Sequence, residues 1–144
     1  MRSRPGPRLP VQLWALAGLY CVASIAHFAH NAEYISLYPN MPGWLTREHV
    51  YLAWLAITGV GFIGAVLAAV GWRIRAALSF ALYGAFGVDA LGHYTLAPCS
   101  EHTLVMNATI WFETLAGIML AASATWCACR QARSRLCSGS FTHH

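Results

Sequence analysis

Apolar residues in this chain run in long blocks, with no alternation of the kind a half-buried strand would show. Four blocks stand out: about Val11 to Ala32, Val50 to Val70, Ala76 to Leu96 and Thr103 to Ala128. Each is close to the ~20 residues that cross a hydrocarbon core of about 30 Å. Backbone amides in lipid must be satisfied within their own segment, so blocks of this length predict helices. Between them lie turn formers: Tyr38-Pro39-Asn40-Met41-Pro42-Gly43, the tight basic link Gly71-Trp72-Arg73, and Ala97-Pro98-Cys99-Ser100. Links this short predict that consecutive helices pack antiparallel. The expectation is an all-α, integral membrane, antiparallel four-helix bundle forming one domain over residues 1–130. The polar segment from Gln131 to His144 is expected to be a loose cytoplasmic tail.

Composition narrows the class. Of 144 residues, 58% are hydrophobic and only 10% charged, whereas a soluble domain carries roughly a quarter charged. The nine basic residues are all arginine, against five acids. They lie between the apolar blocks, without the interleaved aromatics of a nucleic-acid surface, so no nucleic-acid partner is expected. Arg2, Arg4, Arg8, Arg73, Arg75, Arg130, Arg133 and Arg135 all fall on one side of the bundle, leaving Arg47 on the other. The positive-inside rule then places both termini in the cytoplasm, and Trp14, Trp72 and Trp126 fit an interfacial belt at that side. Met1 to Ala26 also carries the marks of a signal peptide, but the apolar run continues past Ala26, which argues against cleavage. Abundant arginine and alanine without lysine point to a bacterial inner membrane. Cys21, Cys99, Cys127, Cys129 and Cys137 have no zinc-finger spacing and read as small apolar residues.

The informative positions are those that contradict their surroundings. The first helix carries His27, His30 and Asn31; the third Asp89, His93 and Tyr94; the fourth begins near His102 and holds Asn107 and Glu113. An ionisable side chain at bilayer depth costs about 2.5–3.5 kcal/mol and usually faces the protein interior. At ~1.5 Å per residue, His27 lies about 25 Å above Pro10, Asp89 and His93 about 21 and 27 Å above Arg75, and Glu113 about 25 Å above Arg130. Three helices thus bring titratable groups to one level in the non-cytoplasmic half.

The spacings His27–Asn31 and Asp89–His93 place each pair on one helical face. Imidazole and carboxylate on facing helices is how bundles build metal sites, and the mixture suits zinc, iron, manganese or copper. The candidate metal ligands are His27, His30, Asp89, His93 and Glu113, with Glu113 or Asp89 as proton acceptor or donor. Asn31, His102, Asn107 and Tyr94 form a second shell or gate. The bland reading is that these groups hydrogen-bond between helices as structural glue, worth under ~1–2 kcal/mol each.

Gly59-Val60-Gly61-Phe62-Ile63-Gly64 matches the dinucleotide fingerprint in letters, but lies inside an apolar helix with no preceding strand. Its glycines, like Gly84, Gly87 and Gly92, read as close-packing faces. Asn107-Ala108-Thr109 matches the glycosylation sequon but lies within a predicted helix, where it is not presented as a surface loop.

The functional expectation is a metal-dependent enzyme acting on a lipid-soluble small molecule from the non-cytoplasmic side. A proton-coupled transporter, a bis-histidine haem carrier (His27 or His30 with His93) and a structural subunit of a membrane complex are the alternatives. Homo-oligomerisation stays open.

Overall fold

The computed structural model describes residues 9–139, with side chains for 9–134. Arg2, Arg4 and Arg8, and the end of the expected tail beyond Gly139, lie outside the described residues. Among the described residues there are helices and no strands.

Four helical segments are long and apolar enough to cross a membrane: Val11–Glu33, Arg47–Ala69, Arg73–Leu96 and Leu104–Ser134. The first two are the single helices α1 (Val11–Glu33) and α2 (Arg47–Ala69). The third is composite: α3 (Arg73–Ala85), a 3₁₀ stretch (Phe86–Gly92) and one α-turn, α4 (His93–Leu96). The last is α5 (Leu104–Gly139). This helix runs through 131–139, where the sequence reading expected a loose tail. Gln131, Ala132 and Arg133 are good helix formers, and no proline or glycine interrupts them before Gly139.

The core sits between α1, α3 and α5, built from Leu13, Tyr20, Phe80, Tyr83, Leu120 and Ala124. The outward surface is apolar too: Leu52, Leu55, Phe62, Ile63 and Val66 of α2 are all exposed, as befits helices able to face lipid tails.

Close approach between the third segment and α5 rests on glycine. A Cβ on Gly84 would sit 2.6 Å from the Gly117 carbonyl, and one on Gly87 would sit 2.9 Å from the Glu113 carbonyl. On α2, Gly61 and Gly64 receive the rings of Tyr83 and Phe80. Gly59 and Gly92, expected to share this packing role, have nothing within 4 Å of a built Cβ and face open space.

The segment between α1 and α2 folds back on the bundle. Glu33 pairs with Arg47 at 2.8 Å, and the Tyr51 hydroxyl donates to Glu33 at 2.8 Å. Asn40, at φ 55°, donates its amide to the Leu96 carbonyl at 2.9 Å. Asparagine is among the few side chains that tolerate this left-handed conformation. The latch holds the loop against the end of the third segment, which buries Tyr38.

Candidate functional site

On α1 the buried polar residues form a stripe: Tyr20, Ser24, His27 and Asn31. Their steps of four, three and four follow the helical period, so one face carries all of them. On α5 the stripe Ile110, Glu113, Gly117 and Leu120 is likewise buried. Where the two faces meet, the Tyr20 hydroxyl donates to Glu113 Oε1 at 3.4 Å, and His27 Nε2 lies 3.8 Å from Glu113 Oε2. His27 and Glu113 are 3% and 1% exposed. The common depth expected from residue counting is therefore realised as direct adjacency.

The third segment treats its two candidates differently. Asp89 is exposed, whereas His93 is buried. An α-helix turns 100° per residue and would set positions four apart only about 40° apart, but a 3₁₀ helix has three residues per turn. Over Phe86–Gly92 the backbone is 3₁₀, so Asp89 is carried off the face that His93 occupies. The same geometry aligns Gly87, Ala90 and His93, all buried, at intervals of three. The expectation that Asp89 and His93 stack on one face fails for this reason.

Around His93 an aromatic and imidazole string leads toward the loops. Asn31 Nδ2 donates to His93 Nε2 at 3.2 Å. The His93 ring lies 5.2 Å from that of His27, 4.9 Å from Tyr38 and 6.1 Å from His102, between centroids. His102 is 6% exposed, and its Nδ1 donates to the Pro98 carbonyl at 3.1 Å. Tyr94 packs edge-on against His102 at 5.4 Å and donates to Asn107 Oδ1 at 2.7 Å. Asn107 in turn donates to the carbonyls of Cys99 and His102, both at 3.1 Å. It fastens the loop that carries His102. His30 stands apart from Glu113: half-buried, it shares a 2.9 Å hydrogen bond with the Tyr38 hydroxyl. Burial pushes the Tyr38 phenol up to about 12, with a hydrogen bond to Thr109 opposing the shift.

A cavity of about 360 Å³ opens beside this string. His27, Asn31, Asp89, His93 and Glu113 line it together with apolar residues including Phe28 and Leu45. Exposed Asp89 and Thr95 on its wall show that it reaches the molecular surface. Three lining residues each carry a buried polar atom without a hydrogen-bond partner: His27 Nδ1, Asn31 Oδ1 and Glu113 Oε2. Buried polar atoms are ordinarily satisfied; of nine such unpartnered atoms among the described residues, these three share the wall of one cavity.

Among the described residues, no three His, Cys, Asp or Glu side chains converge tightly enough to hold an ion. His27, His93 and Glu113 are neighbours, Asp89 is at the rim, and His30 is turned toward Tyr38. Tyr20 and Tyr38 join the site without being among the residues expected from the sequence. The Tyr20 signal was available, since it lies two turns before His27 on the same face. Tyr38 had none, because only the folded-back loop places it there. Compared with known protein families, curated proteins and solved structures, the chain matches none.

Proposed function

We propose that the chain is an integral membrane protein of four antiparallel spans with both termini cytoplasmic. In this reading the cavity takes a lipid-soluble small molecule whose hydroxyl or amine head meets Glu113, His27 and Asn31. The three orphaned atoms on its wall carry the reading. Carboxylate and amide oxygens are acceptors, so they match a ligand that donates hydrogen bonds. The apolar part of the wall suits a ring or tail.

Glu113 is the proton acceptor for the ligand's head, with the His27 imidazole 3.8 Å away to share the charge. Asp89 stands at the exposed rim of the cavity. Orientation follows from the arginines, which put the cavity in the non-cytoplasmic half. The apolar packing of Leu13, Tyr20, Phe80, Tyr83 and Leu120 between the cavity and the arginine-bearing end supports a one-sided site over a transport conduit. A haem between His27 and His93 requires the two rings, in edge contact at 5.2 Å, to part.

The test is ligand-dependent stabilisation of the purified protein in detergent, with a 4-alkylphenol compared with its methyl ether. The phenol is expected to raise the melting temperature and the ether, which has no proton to give, is not. Glu113→Gln is expected to weaken the phenol effect while keeping the fold. Equal effects of phenol and ether, or an unchanged effect in the variant, would overturn the reading.

A second reading is favoured by the contiguity of Glu113, His27 and His93. In it these three side chains would have to close up to hold a transition metal, which would supply Lewis-acid polarisation of a ligand oxygen. Elemental analysis of wild type beside a His27→Ala/His93→Ala variant decides this. Stoichiometric metal lost in the variant supports it, and metal-free, folded, phenol-binding wild type removes it.

A further inference from the structure

A larger cavity lies at the opposite end of the molecule. It measures about 790 Å³ and is bounded by the start of α1, the start of α3 and the far part of α5. Arg73 and Arg130 line it, with the amides of Gln12 and Gln131 and the apolar surfaces of Leu13 and Trp126. Among the described residues neither arginine takes part in an ion pair; the two pairs present are Arg47–Glu33 and His27–Glu113. None of the five carboxylates in the sequence, Glu33, Glu48, Asp89, Glu101 and Glu113, lines this cavity. Two permanent cations and two side-chain amides, of which Gln131 also donates to Cys127 Sγ at 3.1 Å, thus line one hollow with no anion among its lining residues. Guanidinium is the side chain best matched to phosphate, through its planar fork of donors.

The hollow does not end at the arginines. A second, apolar groove of about 480 Å³ is walled by Ala85 and Val88 on the third segment and Ile118, Ala121, Thr125 and Cys129 on α5. It shares Ala122 and Trp126 with the first cavity. A cationic head pocket and an apolar trough therefore adjoin one another at Ala122 and Trp126. That combination matches a molecule with an anionic head and a hydrocarbon chain. A free anion has no use for the trough, and a fatty chain alone has no use for the arginines.

We infer that Arg73, Arg130 and the α3–α5 groove form a binding site for an anionic phospholipid. The phosphate sits between the two guanidiniums and one acyl chain lies along Val88, Ile118 and Ala121. Basic pockets between membrane helices are recognised sites for such headgroups. The inference rests on the helices lying in a bilayer and is independent of the cavity lined by Glu113.

Native mass spectrometry of the full chain released from mixed micelles tests it, with phosphatidylglycerol and phosphatidylcholine of matched chains as probes. Wild type is expected to retain phosphatidylglycerol in preference to phosphatidylcholine. Loss of each arginine is expected to weaken retention about fivefold, and Arg73→Gln/Arg130→Gln about 25-fold. Arg47→Gln, which removes a cation paired elsewhere with Glu33, is expected to leave retention unchanged and so controls for net charge. Ala121→Phe fills the trough and is expected to reduce retention with both arginines intact. Equal retention of the two lipids, or retention unaffected in the double variant, overturns the site. Full displacement by millimolar inorganic phosphate with no effect of Ala121→Phe would make it a simple anion pocket. A lipid-free dimer at this face would make it a protein interface. Either result also overturns the lipid assignment.

Discussion

The imidazole of His27 and the carboxylate of Glu113 face each other at 3.8 Å across the α1–α5 contact, both almost completely buried. Neither is a group that an apolar helix carries without return, since each costs about 2.5–3.5 kcal/mol at bilayer depth. Side by side, each gives the other a polar neighbour in place of hydrocarbon. The Tyr20 hydroxyl occupies the second carboxylate oxygen, while Oε2, the oxygen nearest His27, has no hydrogen-bond partner.

If the pair is energetically real, a double-mutant cycle over His27→Ala and Glu113→Ala will show coupling. Interhelical polar pairs in membranes couple by about 0.6 kcal/mol on average and up to about 1.7. A value in that range is expected from unfolding in mixed micelles. Strict additivity would show that the two side chains ignore one another.

The glycine contacts separate sharply by position. A Cβ on Gly117 would lie 2.5 Å from the Gly84 carbonyl, a backbone atom that cannot rotate away. Gly117→Val is expected to destabilise by about 1–3 kcal/mol or more through overpacking. It should also disturb Glu113, one turn earlier on α5. Gly59 has open space around it, so Gly59→Ala is expected to be neutral or to stabilise by up to about 1 kcal/mol through helix propensity. Thermal or denaturant midpoints of the two variants check the contrast.

Tyr38 gives a pH signature. Its phenol is pushed up to about 12 by burial, while in the unfolded chain it titrates near 10. Below pH 10 both states keep the proton and the contribution is complete. Between about 10 and 12 the unfolded state ionises first, so stability falls as pH rises through that window. Wild type is expected to lose stability relative to Tyr38→Phe across this range. Parallel pH curves for the two proteins would show that the phenol is not held in a dry site.

Asn107 is predicted to act through the loop it fastens. Its amide donates to two loop carbonyls and its oxygen accepts from Tyr94. Asn107→Ala strands those groups, and a cost of about 1–3 kcal/mol is expected. Hydrogen exchange across residues 97–103 is expected to quicken, with α1 and α2 unaffected. Unchanged protection would remove Asn107 from its positioning role.

Residue order alone carried the four apolar helices, because the cost of an unsatisfied amide in hydrocarbon leaves a long apolar block little choice of conformation. It also anticipated that His27 and Glu113 come together, since both lie on unbroken α-helices of constant rise. Facing directions were a different matter. The fate of Asp89 turned on a 3₁₀ stretch that changes the angle per residue, and no local signal in Phe86–Gly92 announces that switch. Tyr38 joined the site through the folded-back loop, held by the Asn40–Leu96 and His30–Tyr38 hydrogen bonds. Which glycines pack, and that Arg73 and Arg130 share one hollow, depended on which helix lies beside which. Periodicity along one helix records how far and at what angle its own residues stand, whereas contact between helices is set by packing that no single segment contains.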